Sequence, residues 1–144
     1  MYLEKTIAVV VPAYNEEKLI GQTLNSIPDL VDKIIVVNDA SSDDTSNIVR
    51  REAENNTKIY LIDHEINQGV GGAIVTGYKA ARDLNVNVTV VMAGDAQMDP
   101  KDFIPVIKPV AEGTADYTKG NRLFHGDAWQ MIPHYRYLGN SFLS

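Results

Sequence analysis

The chain has 144 residues, a length that suits one domain with one hydrophobic core. Its formal net charge of −6 argues against a broad nucleic-acid-binding surface, and its lack of cysteine excludes disulfides and thiolate zinc sites. No apolar run approaches the ~20 residues that a membrane-spanning helix needs. Residues 1–6 lack a signal-peptide pattern, so the sequence predicts a cytoplasmic location.

The first predicted elements are a strand and a helix. Residues 7–11 are apolar and mostly β-branched, which predicts a buried strand that Pro12 ends. Asn15 is expected to cap the following helix, because its side chain can accept from the first free N–H groups. The buried face of that helix is predicted to carry Ile20, Leu24 and Ile27.

The pattern then repeats twice. Residues 33–38 predict a second strand, and Ser42 or Asp43 is expected to cap a second helix. Residues 58–62 predict a third strand, and the glycine-rich residues 67–73 open a third helix. One side of this helix is predicted to be formed by Ile74, Tyr78, Ala81 and Leu84.

A fourth strand is predicted at residues 88–92, where a continuous apolar run indicates burial on both faces. Asp99 as cap and Pro100 at the first helical position predict a fourth helix. Its core face is expected to contain Phe103, Ile104 and Ile107. Residues 115–120 predict a short fifth strand, and the loss of periodicity after residue 123 suggests a truncated chain.

The alternation of strands and helices predicts an α/β fold, with a mostly parallel sheet, right-handed crossovers and helices on both faces. Polar residues follow three of the strands, at residues 14–16, 38–39 and 95–97. Parallel topology brings these strand ends to one edge of the sheet, where α/β proteins bind ligands. Because Asp95 and Gln97 supply oxygen ligands there, we expect a site for Mg²⁺ or Mn²⁺ and a diphosphate.

Four motifs follow one another along the chain, at residues 11–16, 37–45, 67–73 and 94–100. In this order they closely resemble the motifs of family-2 glycosyltransferases, and among these the dolichyl- or polyprenyl-phosphate sugar synthases. The resemblance implies a nucleotide-sugar-binding domain of GT-A fold at residues 1–124, and the start of an acceptor-side region at residues 125–144. It also implies an inverting sugar transfer from a UDP- or GDP-sugar.

The resemblance assigns residues as well. The nucleotide-binding set is Pro12, Ala13, Tyr14, Glu16, Val37, Asp39, Gly71, Ala93, Gly94 and Asp95. Within it, Asp39 would accept a hydrogen bond from a ring N–H of the base. Asp95 and Gln97 would hold the metal, and Asp95 and Arg122 are the catalytic candidates. The first carboxylate of the family's Asp-x-Asp motif is replaced by Ala93, which predicts weaker metal binding.

The implied partners are a nucleotide-sugar donor and a lipid-phosphate or saccharide acceptor, met at the cytoplasmic face of a membrane. Two other functions stay open. A nucleotidyltransferase would carry a glycine-rich, basic loop after the first strand, which residues 12–16 lack, and a non-catalytic nucleotide-sugar-binding module would be consistent with Ala93. His64, His125 and His134 lack metal-ligand spacing and are not expected to form a site.

Overall fold

The computed structural model describes residues 1–94 and 100–120. Its strands are β1 (Ile7–Ala13), β2 (Lys33–Asn38), β3 (Ile59–Asp63) and β4 (Val88–Val91). They form one parallel sheet in the order β3-β2-β1-β4, so the predicted parallel sheet is confirmed. Within the described ranges, none of the helices is both long and apolar enough to cross a membrane.

The helices alternate with the strands, as the sequence predicts. They are α1 (Ile20–Ser26), α2 (Thr45–Asn55), α3 (Gly69–Asp83) and α4 (Phe103–Ala111). A short 3-10 turn, Pro100–Asp102, leads directly into α4. Pro100 therefore does begin helical structure, whereas Asp99 lies outside the described residues.

Pro12 does not end β1, contrary to the sequence prediction. The strand continues to Ala13, and Pro12 pairs with Val37 of β2. Hydrogen bonds of β1 alternate between its two neighbouring strands. On the side that faces β2 the Ala13 carbonyl accepts a hydrogen bond at 2.9 Å, and on the side that faces β4 the Val10 carbonyl accepts one at 2.9 Å. Pro12 therefore faces β4's side beyond the end of that strand, so its missing N–H breaks no ladder bond.

Asn15 does not cap α1, and this prediction is also wrong. The helix begins five residues later, at Ile20, after a turn in which the Glu16 carbonyl accepts from the Ile20 N–H at 2.9 Å. Asn15 instead adopts a left-handed backbone with φ 54°, a conformation that Asn tolerates better than most residues. Its side chain accepts a hydrogen bond from the loop that follows β2, as described below.

One face of the sheet is covered by α3, through small residues. The buried positions of the helix are Ala73, Gly77 and Ala81, so the prediction is confirmed for Ala81 and wrong for Tyr78 and Leu84, which are exposed. A Cβ placed on Gly77 would lie 2.2 Å from a methyl carbon of Val10. The helix therefore rests directly on β1, too close for the larger side chains that the prediction placed there.

The opposite face is covered by α1, α2 and α4 with larger side chains. The predicted buried face of α1 is confirmed for Ile20 and Leu24. In α4 the buried positions are Phe103, Ile107 and Ala111, whereas Ile104 is 43% exposed and was predicted wrongly. Spacing of four residues, not three, defines the buried stripe of this short helix.

In the described part of the chain β4 is an outer strand. Thr89 and Val91 are only half-buried, so the predicted burial on both faces holds for alternate residues alone. The predicted fifth strand at residues 115–120 does not form. That segment turns back on α4 instead: the Ala115 N–H donates to the Pro109 carbonyl at 3.1 Å, and the Thr118 hydroxyl donates to the Val106 carbonyl at 2.6 Å.

The amino end of the sheet is closed by polar side chains. The Asp32 carboxylate accepts from the Ile7 N–H, at 2.9 Å, and from the terminal ammonium of Met1, at 2.9 Å. The Asn87 carboxamide accepts from the Thr6 N–H at 2.9 Å. These contacts join the starts of β1, β2 and β4.

Candidate functional site

A cleft of about 360 Å³ opens at the carboxyl edge of the sheet. The ends of β1 and β2 are joined there by a 2.9 Å hydrogen bond from the Asp39 N–H to the Ala13 carbonyl. The lining residues come from the ends of β1, β2 and β4 and from the start of α3. They are Pro12, Ala13, Tyr14, Glu16, Asp39, Asn67, Gly69, Val70, Ala73, Ala93 and Gly94.

The loop after β1 is hydrogen-bonded to the loop after β2. The Asn15 N–H donates to the Ser41 hydroxyl at 3.0 Å, and the Ser42 N–H donates to the Asn15 carboxamide at 2.9 Å. The Glu16 N–H donates to the Thr45 hydroxyl at 2.9 Å. These reciprocal bonds use polar backbone groups that regular structure leaves unpaired, so they hold both loops in one arrangement.

Asp43 strengthens this connection between the loops. Its carboxylate accepts from the Glu17 N–H at 3.1 Å and from the Thr45 N–H at 3.0 Å, at the first residue of α2. Burial raises the pKa of the Asp43 carboxyl, but the hydrogen bonds from Thr45 and Glu17 outweigh it, so its pKa lies below the ordinary value. The carboxylate is thus ionised where it serves the loops.

Asp39 is the carboxylate on the floor of the cleft and is 3% exposed. Its Oδ1 accepts from the Gln68 N–H at 2.8 Å and lies 2.7 Å from Nδ1 of His64. Burial raises the pKa of the Asp39 carboxyl, but hydrogen bonds from Gln68, His64 and the Gly69 N–H outweigh it and lower the pKa. The cleft therefore contains a fixed, ionised hydrogen-bond acceptor.

His64 is a residue of this site that the sequence interpretation missed. Its ring bridges Asp39 to the Thr76 hydroxyl of α3, 2.9 Å from Nε2. Metal-ligand spacing could not reveal it, because its partners are a carboxylate and a hydroxyl. The available signal was topological: His64 directly follows β3, which lies next to β2, so its ring falls beside the residue that follows β2.

The start of α3 forms a wall of the cleft. The Asn67 carboxamide donates to the Asp39 carbonyl at 3.0 Å and accepts from the Gly69 N–H at 3.0 Å. Gly69 has φ 76°, a conformation that glycine adopts without strain. Of the glycines in this segment, Gly69 lines the cleft, whereas the predicted Gly71 is exposed on the helix and does not line it.

The predicted residues from β1, β2 and β4 are largely brought together. Those that line the cleft are Pro12, Ala13, Tyr14, Glu16, Asp39, Ala93 and Gly94. Val37 is fully buried between β1 and α3 and lies beneath the cleft surface. The side chain of Tyr14 is 53% exposed, so a ligand can contact it.

The end of β4 reaches the cleft through Ala93 and Gly94. The Thr23 hydroxyl of α1 donates to the Gly94 carbonyl at 2.9 Å. A Cβ on Gly94 would lie 3.4 Å from the Pro12 carbonyl oxygen, so the two segments already touch. The predicted residues Asp95, Gln97 and Arg122 lie outside the described residues.

The predicted metal ligands are the carboxylate of Asp95 and the carboxamide of Gln97. In residues 1–94 and 100–120 there is no group of three or more His, Cys, Asp or Glu side chains that could hold a metal. Gly94 lies in the cleft wall one residue before Asp95. A carboxylate and a carboxamide are ligand types that suit a hard cation such as Mg²⁺ or Mn²⁺.

Comparison with known proteins connects this cleft to one family. A relative from Methanococcus voltae, UDP-N-acetylglucosamine–dolichyl-phosphate N-acetylglucosaminyltransferase, is 35% identical over 98% of the chain. The chain spans 61% of that relative's length, and 54% and 58% of two relatives from Methanocaldococcus jannaschii. It therefore corresponds to part of such proteins.

Two solved structures are similar in fold. A mannosyltransferase from Pyrobaculum calidifontis, in complex with GDP-mannose and Mn²⁺, matches 69% of this chain and 30% of its own, with 29% identity and a TM-score of 0.58. Glucosyl-3-phosphoglycerate synthase from Mycobacterium tuberculosis, in complex with Mn²⁺, UDP-glucose and phosphoglyceric acid, matches 76% of this chain and 41% of its own, with 26% identity and a TM-score of 0.59. Both are GT-A glycosyltransferases, so the predicted GT-A fold is confirmed.

The family model for glycosyl transferase family 2 matches residues 8–142, nearly the whole chain. That range contains the strand ends, the two hydrogen-bonded loops and the glycine-rich start of α3 that together form the cleft. The chain belongs to glycosyl transferase family 2.

Proposed function

We propose that the chain forms the donor-binding part of an inverting glycosyltransferase that moves a sugar from a UDP- or GDP-sugar to a polyprenyl or dolichyl phosphate. The observation that carries the proposal is the ionised Asp39 carboxylate on the floor of the cleft, fixed by Gln68 and His64. A carboxylate held in this way can accept a ring N–H of uracil or guanine. The names of the relatives support both donor types and the lipid-phosphate acceptor.

The remaining residues of the cleft suit the rest of a nucleotide-sugar. Tyr14 provides an exposed aromatic ring against which a base or ribose can pack, next to Pro12 and Glu16. The diphosphate would lie toward Ala93 and Gly94, where the chain continues to Asp95 and Gln97. In this proposal Asp95 and Gln97 hold Mg²⁺ or Mn²⁺, which when bound would stabilise negative charge on the leaving diphosphate.

The proposed reaction is a single in-line displacement. An oxygen of the acceptor forms a bond to the anomeric carbon while the bond from that carbon to the diphosphate oxygen breaks. The electron pair of the broken bond leaves with the nucleoside diphosphate, where Arg122 would also stabilise charge. A lipid-phosphate oxygen is already ionised, so this acceptor needs no strong general base, whereas a saccharide hydroxyl would need one.

The location proposed for this reaction is the cytoplasmic face of a membrane, because the acceptor is a membrane lipid. Residues 1–124 are proposed as the donor-binding domain and residues 125–144 as the start of the acceptor side. Since the chain matches only part of its relatives, binding of the acceptor is expected to need the longer protein.

Thermal unfolding with UDP, GDP and ADP, each with and without Mn²⁺, tests donor binding. A ligand at 100 times its Kd stabilises the folded state by about 2.7 kcal/mol, a shift that is easily measured. We expect stabilisation by UDP or GDP that requires Mn²⁺, and little by ADP. No stabilisation by any of the three in the presence of Mn²⁺ would contradict the proposal.

A pair of variants locates the metal requirement. Asp95→Asn should abolish the Mn²⁺-dependent part of the stabilisation, because a charged ligand is lost. Asp99→Asn is the matched control: Asp99 is expected to cap a helix, and Asn caps equally well, so this variant should behave like the wild type. Equal effects of the two substitutions would argue against Asp95 as a metal ligand.

A donor-binding module without catalytic activity is a second candidate, favoured by Ala93. This residue lines the cleft and is exposed, at the position where the resemblance places a carboxylate. Release of UDP or GDP from the nucleotide-sugar, followed with polyprenyl phosphate present in the longer protein, separates the two functions. Binding without release would favour the module.

A further inference from the structure

His64 connects three elements through its backbone and its ring. Its N–H donates to the Asn38 carbonyl at 2.9 Å, extending the pairing of β2 with β3 by one residue. Nδ1 lies 2.7 Å from Oδ1 of Asp39, and Nε2 lies 2.9 Å from the Thr76 hydroxyl of α3. The His64 side chain is 7% exposed, so water competes little for these contacts.

The ionisation of Asp39 determines which of the two side chains, His64 or Asp39, carries the proton in this contact. The pKa of the Asp39 carboxyl is lowered, since the hydrogen bonds it accepts outweigh its burial, so the carboxylate is ionised at neutral pH. An ionised carboxylate has no proton to donate. Nδ1 of His64 therefore carries the proton and donates it to Oδ1.

The same contact fixes the direction of the carboxylate. The hydrogen bonds from His64 and Gln68 both end on Oδ1, from the two ends of the segment that joins β3 to α3. Rotation of the carboxylate about its bond would break both of them. Neither of these two hydrogen bonds uses Oδ2, and the Gly69 N–H that also acts on this carboxylate belongs to the cleft wall, so Oδ2 is the oxygen that we assign to a ligand in the cleft.

We propose that His64 is a positioning residue, which holds Asp39 so that Oδ2 accepts the ring N–H of the donor base and which anchors this arrangement to α3 through Thr76. The inference rests on the proposed function, because it requires a nucleotide in the cleft. Its consequence is that base selection depends on a ring that does not itself line the cleft. A histidine with only a packing role would stabilise the fold without affecting base selection.

The experiment compares UDP and GDP with analogues whose ring N–H is methylated, 3-methyl-UDP and 1-methyl-GDP. The readout is the ratio of the Kd of the methylated nucleotide to that of its parent, measured by calorimetry with Mn²⁺ on the 144-residue chain. In the wild type we expect a ratio of roughly 10 to 100, the worth of one hydrogen bond to a charged group.

Three variants separate the contributions of the two ring nitrogens of His64 to the Kd ratio. His64→Leu removes both ring nitrogens and should reduce the ratio to below about 3, because the carboxylate is no longer held. His64→Asn restores an N–H close to Nδ1 and should recover most of the ratio. Thr76→Val keeps the shape of the side chain but leaves Nε2 without its partner, and should give a ratio between those of the wild type and His64→Leu.

The outcomes are separable. If His64→Leu and Thr76→Val both keep the wild-type ratio while circular dichroism shows them folded, the positioning role is overturned. If His64→Leu does not fold, the ratio of Thr76→Val still decides, since a packing role predicts no change in it and the positioning role predicts a lower value. A double-mutant cycle of Asp39→Asn with His64→Leu should show strong non-additivity, and additive losses would also overturn the role.

Failure of the proposed function gives a different result. In that case the wild type binds neither parent nucleotide, and the inference falls with it. Nitrogen NMR of the histidine ring separates this case from a wrong geometry: a proton on Nδ1 of His64 in the wild type, altered in Asp39→Asn, supports the pair with or without ligand. A proton on Nε2 alone would contradict the arrangement.

Discussion

The two ends of the sheet use the same device for different purposes. At the amino end, Asp32 accepts from the Ile7 N–H at 2.9 Å, and at the carboxyl end, Asp39 accepts from the Gln68 N–H at 2.8 Å. In both carboxyls burial raises the pKa, but hydrogen bonds, joined at Asp32 by the positive charges of the terminal ammonium and Lys58, outweigh it, so both pKa values lie below the ordinary one.

The difference lies in how the two oxygens are used. Both oxygens of Asp32 are occupied, Oδ2 by Ile7 and Oδ1 by the terminal ammonium, and Asp32 does not line the cleft. The hydrogen bonds of Asp39 from His64 and Gln68 share one oxygen, and Asp39 does line the cleft. The hydrogen bonds from His64 and Gln68 thus leave the second oxygen of Asp39 unused, whereas both oxygens of Asp32 are engaged in the structural contacts.

The strongest test of this comparison is Asp39→Asn. We expect the affinity for UDP or GDP to fall roughly 10- to 100-fold, because a charged acceptor becomes a neutral one. The same substitution at the other end, Asp32→Asn, should leave the affinity within about twofold of the wild type. Calorimetry measures both, and an equal loss in the two variants would break the comparison.

A smaller effect is expected on the free energy of unfolding, which substitution of Asp32 should lower more than substitution of Asp39. Asp32→Ala leaves the fully buried Ile7 without an acceptor for its N–H and should lower the free energy of unfolding by about 1–3 kcal/mol. Asp32→Asn, which keeps an oxygen, should cost less. Urea denaturation measures these values. The contrast between the ends would be weakened if Asp39→Asn were the more destabilising of the two Asn substitutions.

Acid should reveal what the two ends have in common. A carboxyl whose pKa is lowered by folding stabilises the protein above its ordinary pKa of 3.8, and that contribution is lost as the pH falls further. Urea midpoints should therefore decrease below about pH 4. Asp32→Asn and Asp39→Asn should each flatten this decrease. If the urea midpoint of either variant decreases as steeply with pH as that of the wild type, the carboxyl replaced in that variant does not contribute to the loss of stability in acid.

The smallest effect concerns backbone strain next to each end. Ala40 follows Asp39 with φ 57°, and Asn85 precedes β4 with φ 55°. Ala40→Gly should raise the free energy of unfolding by about 0.5–1 kcal/mol, because the left-handed conformation costs alanine more than glycine. Asn85→Gly should change it little, since Asn tolerates that conformation. Thermal unfolding compares them, and a destabilised Ala40→Gly would contradict the strain.

The strands and their convergence on one edge could be read from the sequence. Burial of a parallel strand requires a run of apolar residues, and the ranges predicted for β2 and β3 agree with the structure to within one residue. Helix faces were harder, because the close approach of α3 at Gly77 follows from tertiary packing. The prediction that Asn15 caps α1 was wrong for a similar reason, because its side chain accepts a hydrogen bond from the neighbouring loop instead.

The candidate site was predictable as far as local motifs extend. Asp39 and Tyr14 could be predicted because each lies at or just beyond the end of a predicted strand, and the resemblance to family-2 glycosyltransferases implied their role. His64 was not, because its function depends on β3 lying beside β2 and on a hydroxyl of α3, relations that spacing along the chain does not encode. The contributions of Asp95, Gln97 and Arg122 stay predictions, since these residues lie outside the described ranges.

The absence of a side chain at Gly77 has a consequence for how the cleft can change through substitution. With α3 already touching Val10, the helix has no room to approach β1 further, and any side chain at residue 77 would push it outward. The distance between α3 and β1, and with it the width of the pocket, is thus set in the hydrophobic core beneath the pocket. Adaptation to a larger or smaller ligand is then left to the exposed rim, where Tyr14 and Val70 can be exchanged without disturbing the interior.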